Sequence, residues 1–501
     1  MINVYVPRDM ASVSLGADDV AKAIAALPED IKVIRNGTWG MTYLEPLVEV
    51  MTPKGRVAYG PVGVSDIQSL YEGGFLKGEE HSLCQGLTSE IEYLKSQERL
   101  TFARCGLIDP LSLDDYTKNG GFLGLSKALK LSGQEIVDEV MTSGLRGRGG
   151  AAFPTGIKWK TVLDTDADQK YICCNADEGD SGTFSDRILM ESDPFCLIEG
   201  MTIAGIAVGA SKGYIYLRSE YPLCKVVLEK AIIAAEAQNY LGNDICGSGH
   251  SFQIEVRVGA GSYVCGEETA MLESLEGKRG MVRAKPPLPA HVGLFGKPTV
   301  INNVISLASV PIILAKGGDY YRDFGIGRSR GTIAFQLAGN VKRGGLVEKA
   351  FGVTLEELIN NYGGGTFSGQ NVKAAQVGGP LGAYIPADDF NLPLDYEAFA
   401  EAGAVLGHGG IVVFDETADM KAQAKFAFDF CAIESCGKCT PCRIGSIRGA
   451  EQLEAGNLDL VNELCELMDS SSLCAMGGMT PIPVKSALKH WPDEFDSISK
   501  E

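Results

Sequence analysis

The stretch Lys170-Tyr-Ile-Cys-Cys-Asn-Ala-Asp-Glu-Gly-Asp-Ser-Gly-Thr183 runs from an apolar segment straight into an acidic loop. Its first five residues, Lys170–Cys174, read as a strand, and strand-like segments recur at Gly213–Leu217 and Phe252–Val258. Helical segments lie between them at Pro194–Val208 and Leu223–Glu236. Strand and helix alternating over roughly 170 residues imply a mainly parallel sheet with crossover helices. In such a sheet ligands bind beyond the carboxyl ends of the strands. The loop carrying Asn175, Asp177, Glu178 and Asp180 should therefore face a ligand. Its carboxylates suit hydroxyl and ring N–H donors; magnesium ranks second, because no histidine is nearby, and a merely solvated loop is the plain alternative.

Upstream, Gly144-Leu-Arg-Gly-Arg-Gly-Gly-Ala-Ala-Phe-Pro-Thr-Gly156 holds five glycines in thirteen positions. Gly147-x-Gly149-x-x-Ala152 formally fits a dinucleotide fingerprint, which must follow a strand. Here Gln134–Thr142 has a helical rhythm and Pro154 follows at once, so an ordinary Rossmann turn is not expected. Bare amides beside Arg146, Arg148 and Lys158 still make a phosphate-sized cradle, against the alternative of a glycine-rich linker. A second loop, Gly259–Thr269, also follows a strand and offers the Tyr263 ring with the Glu267 and Glu268 carboxylates. Lys285-Pro-Pro-Leu-Pro-Ala290 is stiff and basic, and Asn302 and Asn303 are paired amides that suit a heterocycle's edge or simply tie down a loop. Together these segments describe a nucleotide site, best suited to a flavin.

Downstream, Cys436, Cys439 and Cys442 repeat every third residue in Glu434-Ser-Cys-Gly-Lys-Cys-Thr-Pro-Cys442. Cys474, in Ser-Leu-Cys-Ala-Met-Gly-Gly, is the best fourth thiolate, because small neighbours let the backbone come close. Zinc sites usually pair two C-x2-C halves, whereas three cysteines in one tight run favour a [4Fe–4S] cluster. Cys431 and Cys465 fall within helical segments and read as small hydrophobes.

The totals set bounds. At 501 residues the chain exceeds one core, and 45% hydrophobic residues supply several. A charge of −19 argues against nucleic-acid or anionic-membrane binding. No apolar run approaches the roughly twenty residues that span a bilayer, and the amino-terminal residues lack a signal-peptide layout. A cytoplasmic protein is expected, with 14 cysteines reduced unless they hold metal. Five histidines, none paired at helical metal-site spacing, give hydrolytic zinc chemistry little support.

The remaining chain divides as follows. Residues 1–85 read as a small α/β domain, with strands at 2–6, 31–34 and 48–50 and a helix at Asp18–Leu27. Residues 86–143 form a helical linker layer, and 144–328 the nucleotide domain. Residues 329–417 suit a β-grasp sheet, with strands at Thr332–Ala338, Val372–Val377 and Gly410–Phe414 and a helix at Thr354–Asn361. Residues 418–501 suit a four-helix bundle, with helices at 421–433, 443–455, 458–469 and 481–490.

Residues 144–159, 175–187, 259–304 and 434–442 resemble the NADH-binding flavoprotein subunit of complex I, with its relatives in NAD-reducing hydrogenases and NAD-dependent formate dehydrogenases. The resemblance implies FMN and NAD(H) on a Rossmann-like domain, with one [4Fe–4S] cluster held by Cys436, Cys439, Cys442 and Cys474. It assigns Gly147, Arg148, Gly149, Lys158, Asn175, Asp177, Tyr263, Glu267, Asn302 and Asn303 to FMN, and places Glu178 and Gly266 in the cofactor site. Phe153, Asp180, Glu268 and Lys285 would face the dinucleotide, and hydride would pass at the flavin with no catalytic side chain. Asp180 stands where relatives often carry Glu; an acid there disfavours a 2′-phosphate. Leu288 and Thr161 stand where relatives have aromatics, leaving adenine stacking mainly to Phe153. Residues 1–85 resemble a thioredoxin-like [2Fe–2S] module, but Arg35 and Trp39 occupy the places of its cysteine pair, and no cysteine precedes Cys84. That combination most resembles the β subunit of a cytoplasmic molybdenum- or tungsten-containing NAD-dependent formate dehydrogenase. Its implied partners are a [2Fe–2S] thioredoxin-like subunit and a large iron–sulfur subunit carrying the metal. Complex I, an NAD-reducing hydrogenase and a non-catalytic wiring scaffold are the alternatives.

Overall fold

A computed structural model describes residues 1–496. Strands β1 (Ile2–Tyr5), β2 (Ile31–Ile34), β3 (Val48–Thr52), β4 (Gly55–Tyr59) and β5 (Cys84–Leu87) form the first sheet, in the order β2-β1-β3-β4-β5. Only β1 and β2 run parallel. Short helices at Met10–Ser14 and Ala17–Ala25 cover it. The last two strands escaped the sequence reading, because β4 begins Gly-Arg and β5 is a polar edge.

The central sheet, β8-β7-β6-β9, joins β6 (Tyr171–Ala176), β7 (Lys212–Leu217), β8 (Gln253–Val258) and β9 (Thr299–Asn303), all parallel. A parallel sheet needs cover on both faces. Helix Pro194–Val208, buried along its whole length, packs one face. Helix Glu268–Leu275 and the carboxy-terminal helices share a core with Cys173, Tyr216 and Ile301 on the other. Strand β9 was read only as a pair of amides. Its register sets Asn302 opposite Cys174 and Asn303 opposite Asn175, at the same sheet end as the acidic loop.

A two-residue ribbon, β10 (Gly325–Ile326) with β11 (Ser329–Arg330), leads to the third sheet. This contains β12 (Thr332–Gly339), β13 (Gly345–Ala350), β14 (Val372–Val377), β15 (Ala383–Pro386) and β16 (Gly410–Asp415), in the order β13-β12-β16-β14-β15. The central pair β12–β16 is parallel and each flank is an antiparallel hairpin. The helix expected at Thr354–Asn361 is a wide π-type turn over Glu357–Tyr362. Helices Met420–Glu434, Thr440–Glu454, Leu458–Ser471 and Pro481–His490 follow, with a short Ala475–Met479 inserted before the last.

The units interlock. Residues 86–143 brace the third sheet as well as linking. The amides of Thr101 and Phe102 donate to the buried Glu348 carboxylate, and Lys349 pairs with Glu98 at 2.9 Å. The segment Arg35–Gly40 is spent on internal packing. Arg35 donates to the carbonyls of Val6 and Pro7, and the Trp39 ring lies only 2.2 Å from where a Cβ on Gly106 would start. Gly37 likewise abuts Ser192 of the central unit, and β13 docks through Leu346 N–H to the Gly40 carbonyl at 2.8 Å.

Candidate functional site

The glycine-rich loop bends back on itself between helix Gly133–Thr142 and helix Thr155–Asp164. Gly147 N–H donates to the Phe153 carbonyl at 2.8 Å, and Thr155 N–H to the Leu145 carbonyl at 2.9 Å. No strand precedes it, as the sequence indicated, so its amides are presented by a closed loop rather than a strand-to-helix turn. Gly149 has no room for a side chain: a Cβ there would sit 2.9 Å from that of Asn303. Phe153 projects half-exposed beside the loop. Lys158, on the first turn of the following helix, donates to the Ile301 carbonyl at 2.8 Å. Burial lowers its pKa, an effect that Glu268, 3.8 Å away, only partly offsets.

Opposite stands the acidic loop. Asn175 donates to the Gly266 carbonyl at 2.8 Å and accepts from Asp177 N–H, binding the two acidic loops together. Among the described residues, the buried Asp177 Oδ2 has no hydrogen-bond partner. Burial pushes its carboxyl up to about 7, against a lowering pull from Arg218. Asp180 accepts from the Tyr263 hydroxyl at 2.8 Å, and burial raises its pKa also. Gly179 and Gly379 leave the space these two side chains fill: Cβ atoms there would lie 2.6 Å from the Tyr263 ring and 2.5 Å from the Asp180 carboxylate.

Glu267 caps helix Glu268–Leu275, accepting from Thr269 N–H at 2.8 Å and Ala270 N–H at 2.9 Å. Lys285 reaches Glu267 at 2.9 Å and Glu268 at 2.8 Å. Two lysines and two glutamates thus pair with one another and are able to exchange those partners for a ligand's charges.

Four of the residues expected at the ligand already have partners within the protein. The Arg148 guanidinium is buried and donates to the carbonyls of Arg146, Arg330 and Thr332 and to the Tyr321 hydroxyl, so it braces the loop from behind. Glu178 turns inward and accepts from the amides of Asp186 and Arg187 at the start of helix Ser185–Ser192. The amide pair also works internally. Asn302 accepts from the Trp159 indole at 2.8 Å, and Asn303 caps helix Val304–Ala308 while donating to Asp186. Each is tied into a buried network, because burial obliges polar atoms to find partners.

The cysteine loop adjoins the second acidic loop. Tyr263 N–H donates to Glu434 Oε2 at 3.1 Å, and its ring meets Phe430 edge-on at 4.8 Å. Glu434, the first residue of the quoted run, was passed over because nothing in a sequence shows a contact across 171 positions. Cys439 precedes helix Thr440–Glu454 and accepts from Leu473 N–H at 3.5 Å, which brings Cys474 beside the run. A Cβ on Gly477 would meet that of Cys442 at 2.7 Å, the close approach its small neighbours were read as allowing. Arg443 donates to the Ser435 carbonyl at 2.6 Å and pins the loop. Burial pushes Cys474 up to about 11, so a bound cation is needed to draw off its proton. Cys465 is buried, as expected; Cys431 is buried too, with its sulfur 3.6 Å from that of Cys442.

Residues 140–312 match the Nuo51 FMN-binding domain, and residues 422–498 match the NADH-ubiquinone oxidoreductase-F iron–sulfur binding region. Over 392 residues the chain is 44% identical to the NADH-quinone oxidoreductase F 2 polypeptide of Rhizobium meliloti, covering 76% of this chain and 93% of that one. The chain belongs to the F-type family of NADH-quinone oxidoreductase polypeptides. It is also 46% identical over 411 residues to the NADP-reducing hydrogenase polypeptide HndC of Solidesulfovibrio fructosivorans, covering 80% and 84% of the two chains. The crystal structure of an NAD+-reducing [NiFe]-hydrogenase in the H2-reduced state superposes with a TM-score of 0.69 at 28% identity, over 99% of this chain and 84% of that one.

FMN, a [4Fe–4S] cluster and NAD(H) are accordingly the cofactors of this F-type polypeptide. The residues fit them. An unpartnered buried Asp177 oxygen suits a ring N–H, and Gly149 brings backbone without a side chain up against Asn303. Cys439, Cys442 and Cys474 lie together as soft thiolate donors beside a helix start, with Cys436 three residues earlier in the same run. No described helix is long and apolar enough to cross a membrane.

Proposed function

We propose that this chain is the diaphorase component of a multisubunit NAD-dependent dehydrogenase. The carrying observation is the unpartnered Asp177 carboxyl in the first acidic loop, with Tyr263 of the second bonded to Glu434 beside the cysteine run. FMN, when bound, would supply exchange of one hydride with NAD(H) and of its two electrons, singly, with the cluster. The chain's residues bind and orient. Gly147, Gly149 and Lys158 hold the phosphate end, and Asn175, Asp177, Gly266 and Glu267 the ring end. Tyr263 closes the side toward the cysteines, and Phe153, Glu268 and Lys285 receive the dinucleotide. Asp180 disfavours a 2′-phosphate and so selects NAD over NADP. Cys436, Cys439, Cys442 and Cys474 hold the cluster.

We read the first sheet as thioredoxin-like and the third, with its parallel central pair between two hairpins, as β-grasp. The parent complex we favour is a formate dehydrogenase of the molybdenum or tungsten class, because residues 1–85 lack cluster cysteines before Cys84. The hydrogenase reading draws on the likeness that spans 99% of the chain. Co-purified subunits and metal analysis separate the two: molybdenum or tungsten supports the first, nickel the second. The diaphorase reading is tested by NADH-driven reduction of an artificial one-electron acceptor; inactivity with FMN fully bound rejects it.

A further inference from the structure

His408 lies on the loop between helix Tyr396–Glu401 and β16, far along the chain from every segment that the sequence marked for the flavin site. It is buried. Its Nδ1 contacts the carbonyl of Arg148 in the glycine-rich loop. Its Nε2 lies 3.2 Å from Glu178 Oε1, 3.2 Å from Asp186 Oδ1 and 3.1 Å from Ser185 Oγ. A carbonyl only accepts, so Nδ1 must carry a proton; two carboxylates at Nε2 ask for a second.

These contacts close a circuit. Asp186 accepts from Asn303 Nδ2 at 2.8 Å, and Asn303 Oδ1 accepts from Ser306 N–H at 3.2 Å. Ser306 Oγ accepts from Arg148 N–H at 2.8 Å, and the Arg148 carbonyl returns to His408. One imidazole therefore joins the glycine-rich loop, the acidic loop through Glu178 and the amide strand through Asp186. Glu178, Asp186 and His408 also have the donor types of a metal site. Their lone pairs are already engaged: Glu178 accepts from two amides and the Tyr221 hydroxyl, and Asp186 accepts from Asn303 at both oxygens. A proton, not a cation, completes the set.

We propose that His408, as a doubly donating imidazolium supplied by the third sheet, is the positioning residue that holds the three walls of the FMN cavity together. This rests on the flavin reading above. The charged groups facing the ring are Glu178 and Asp180 from the acidic loop and Asp186 from helix Ser185–Ser192, with Arg187 and Tyr221 behind Glu178. Burial opposes the charged ring, but Asp186 and Glu178 outweigh it and hold its pKa well above the usual histidine value. A raised histidine contributes fully below its ordinary pKa, and the contribution is lost as pH rises through the folded value.

The test measures the FMN dissociation constant by flavin fluorescence across neutral and alkaline pH, in the complete cluster-loaded protein, for the wild type, His408→Gln and His408→Ala. The wild-type constant should rise on the alkaline side. At neutral pH, His408→Ala should bind at least tenfold more weakly and His408→Gln by a smaller factor, with iron content kept and the alkaline rise gone in both. If His408→Ala fails to fold, the pH profile of His408→Gln decides alone. Wild-type affinity in the variants, an unchanged alkaline rise, or a stoichiometric metal lost on substitution overturns the proposal. A wild type that binds no FMN would instead reject the flavin reading.

Discussion

Asp177→Asn removes a charge that the fold holds at a cost, and the cost follows from the site. Burial carries the carboxyl from its ordinary 3.8 to about 7. Three units at about 1.4 kcal/mol each set a ceiling near 4 kcal/mol, and partial access of water brings the expectation to about 2 kcal/mol. The sign follows from proton counting. Between pH 3.8 and about 7 the native state binds more protons here than the unfolded chain, so wild-type stability falls as pH rises through that window and stays reduced above it. The asparagine variant has no such group. FMN-free Asp177→Asn should therefore match the wild type near pH 4 and melt a few degrees higher at pH 8, because about 2 kcal/mol moves the melting point of a large domain by only a few degrees. Calorimetry of both proteins across that range measures the difference. The same change removes an anionic acceptor for a ring N–H, so FMN affinity should fall about tenfold, the lower range for a charged hydrogen bond. Parallel melting curves at every pH would refute the assigned burial. Unchanged FMN affinity would refute the assigned contact.

Three other perturbations probe separate parts of the site. Cys474→Ala should abolish the EPR signal of the reduced cluster and lower iron content while FMN stays bound; an unaltered signal would place the fourth ligand elsewhere. Gly149→Ala forces a Cβ to within 2.9 Å of that of Asn303, and overpacking of about 1–3 kcal/mol should weaken FMN binding about tenfold in a fluorescence titration. Phe153→Ala removes a half-exposed ring beside the loop; loss of stacking worth about 1 kcal/mol should raise the KM for NADH about fivefold and leave FMN content unchanged.

Legibility differed with the kind of signal. The parallel strands before the two acidic loops were readable because β6 is apolar and turns abruptly acidic, whereas β9 carries Asn302 and Asn303 and was read only as a pair of amides. Strands β13 and β15 went unread because one opens on glycine and the other is four residues long. Arg148, Glu178 and Asn303 carry charge and amide chemistry that suits a ligand or an internal network equally well. Only partners three-dimensionally adjacent, Tyr321, Tyr221 and Asp186, tell the two apart.

The sequence by itself determined what depends on residues close in the chain: the cysteine spacing, the bare amides of the glycine loop and the run from apolar strand to acidic loop that opens the reading. From these the family and its cofactors follow. The tertiary structure decided which of those groups are engaged inside the protein, that Tyr263 meets Glu434 across 171 positions, and that Trp39 packs on Gly106. It also set His408 behind the glycine loop, 260 positions from its partner Arg148. Such pairings come from how sheets and helices stack to bury their apolar faces, and no local pattern encodes which polar side chains then meet.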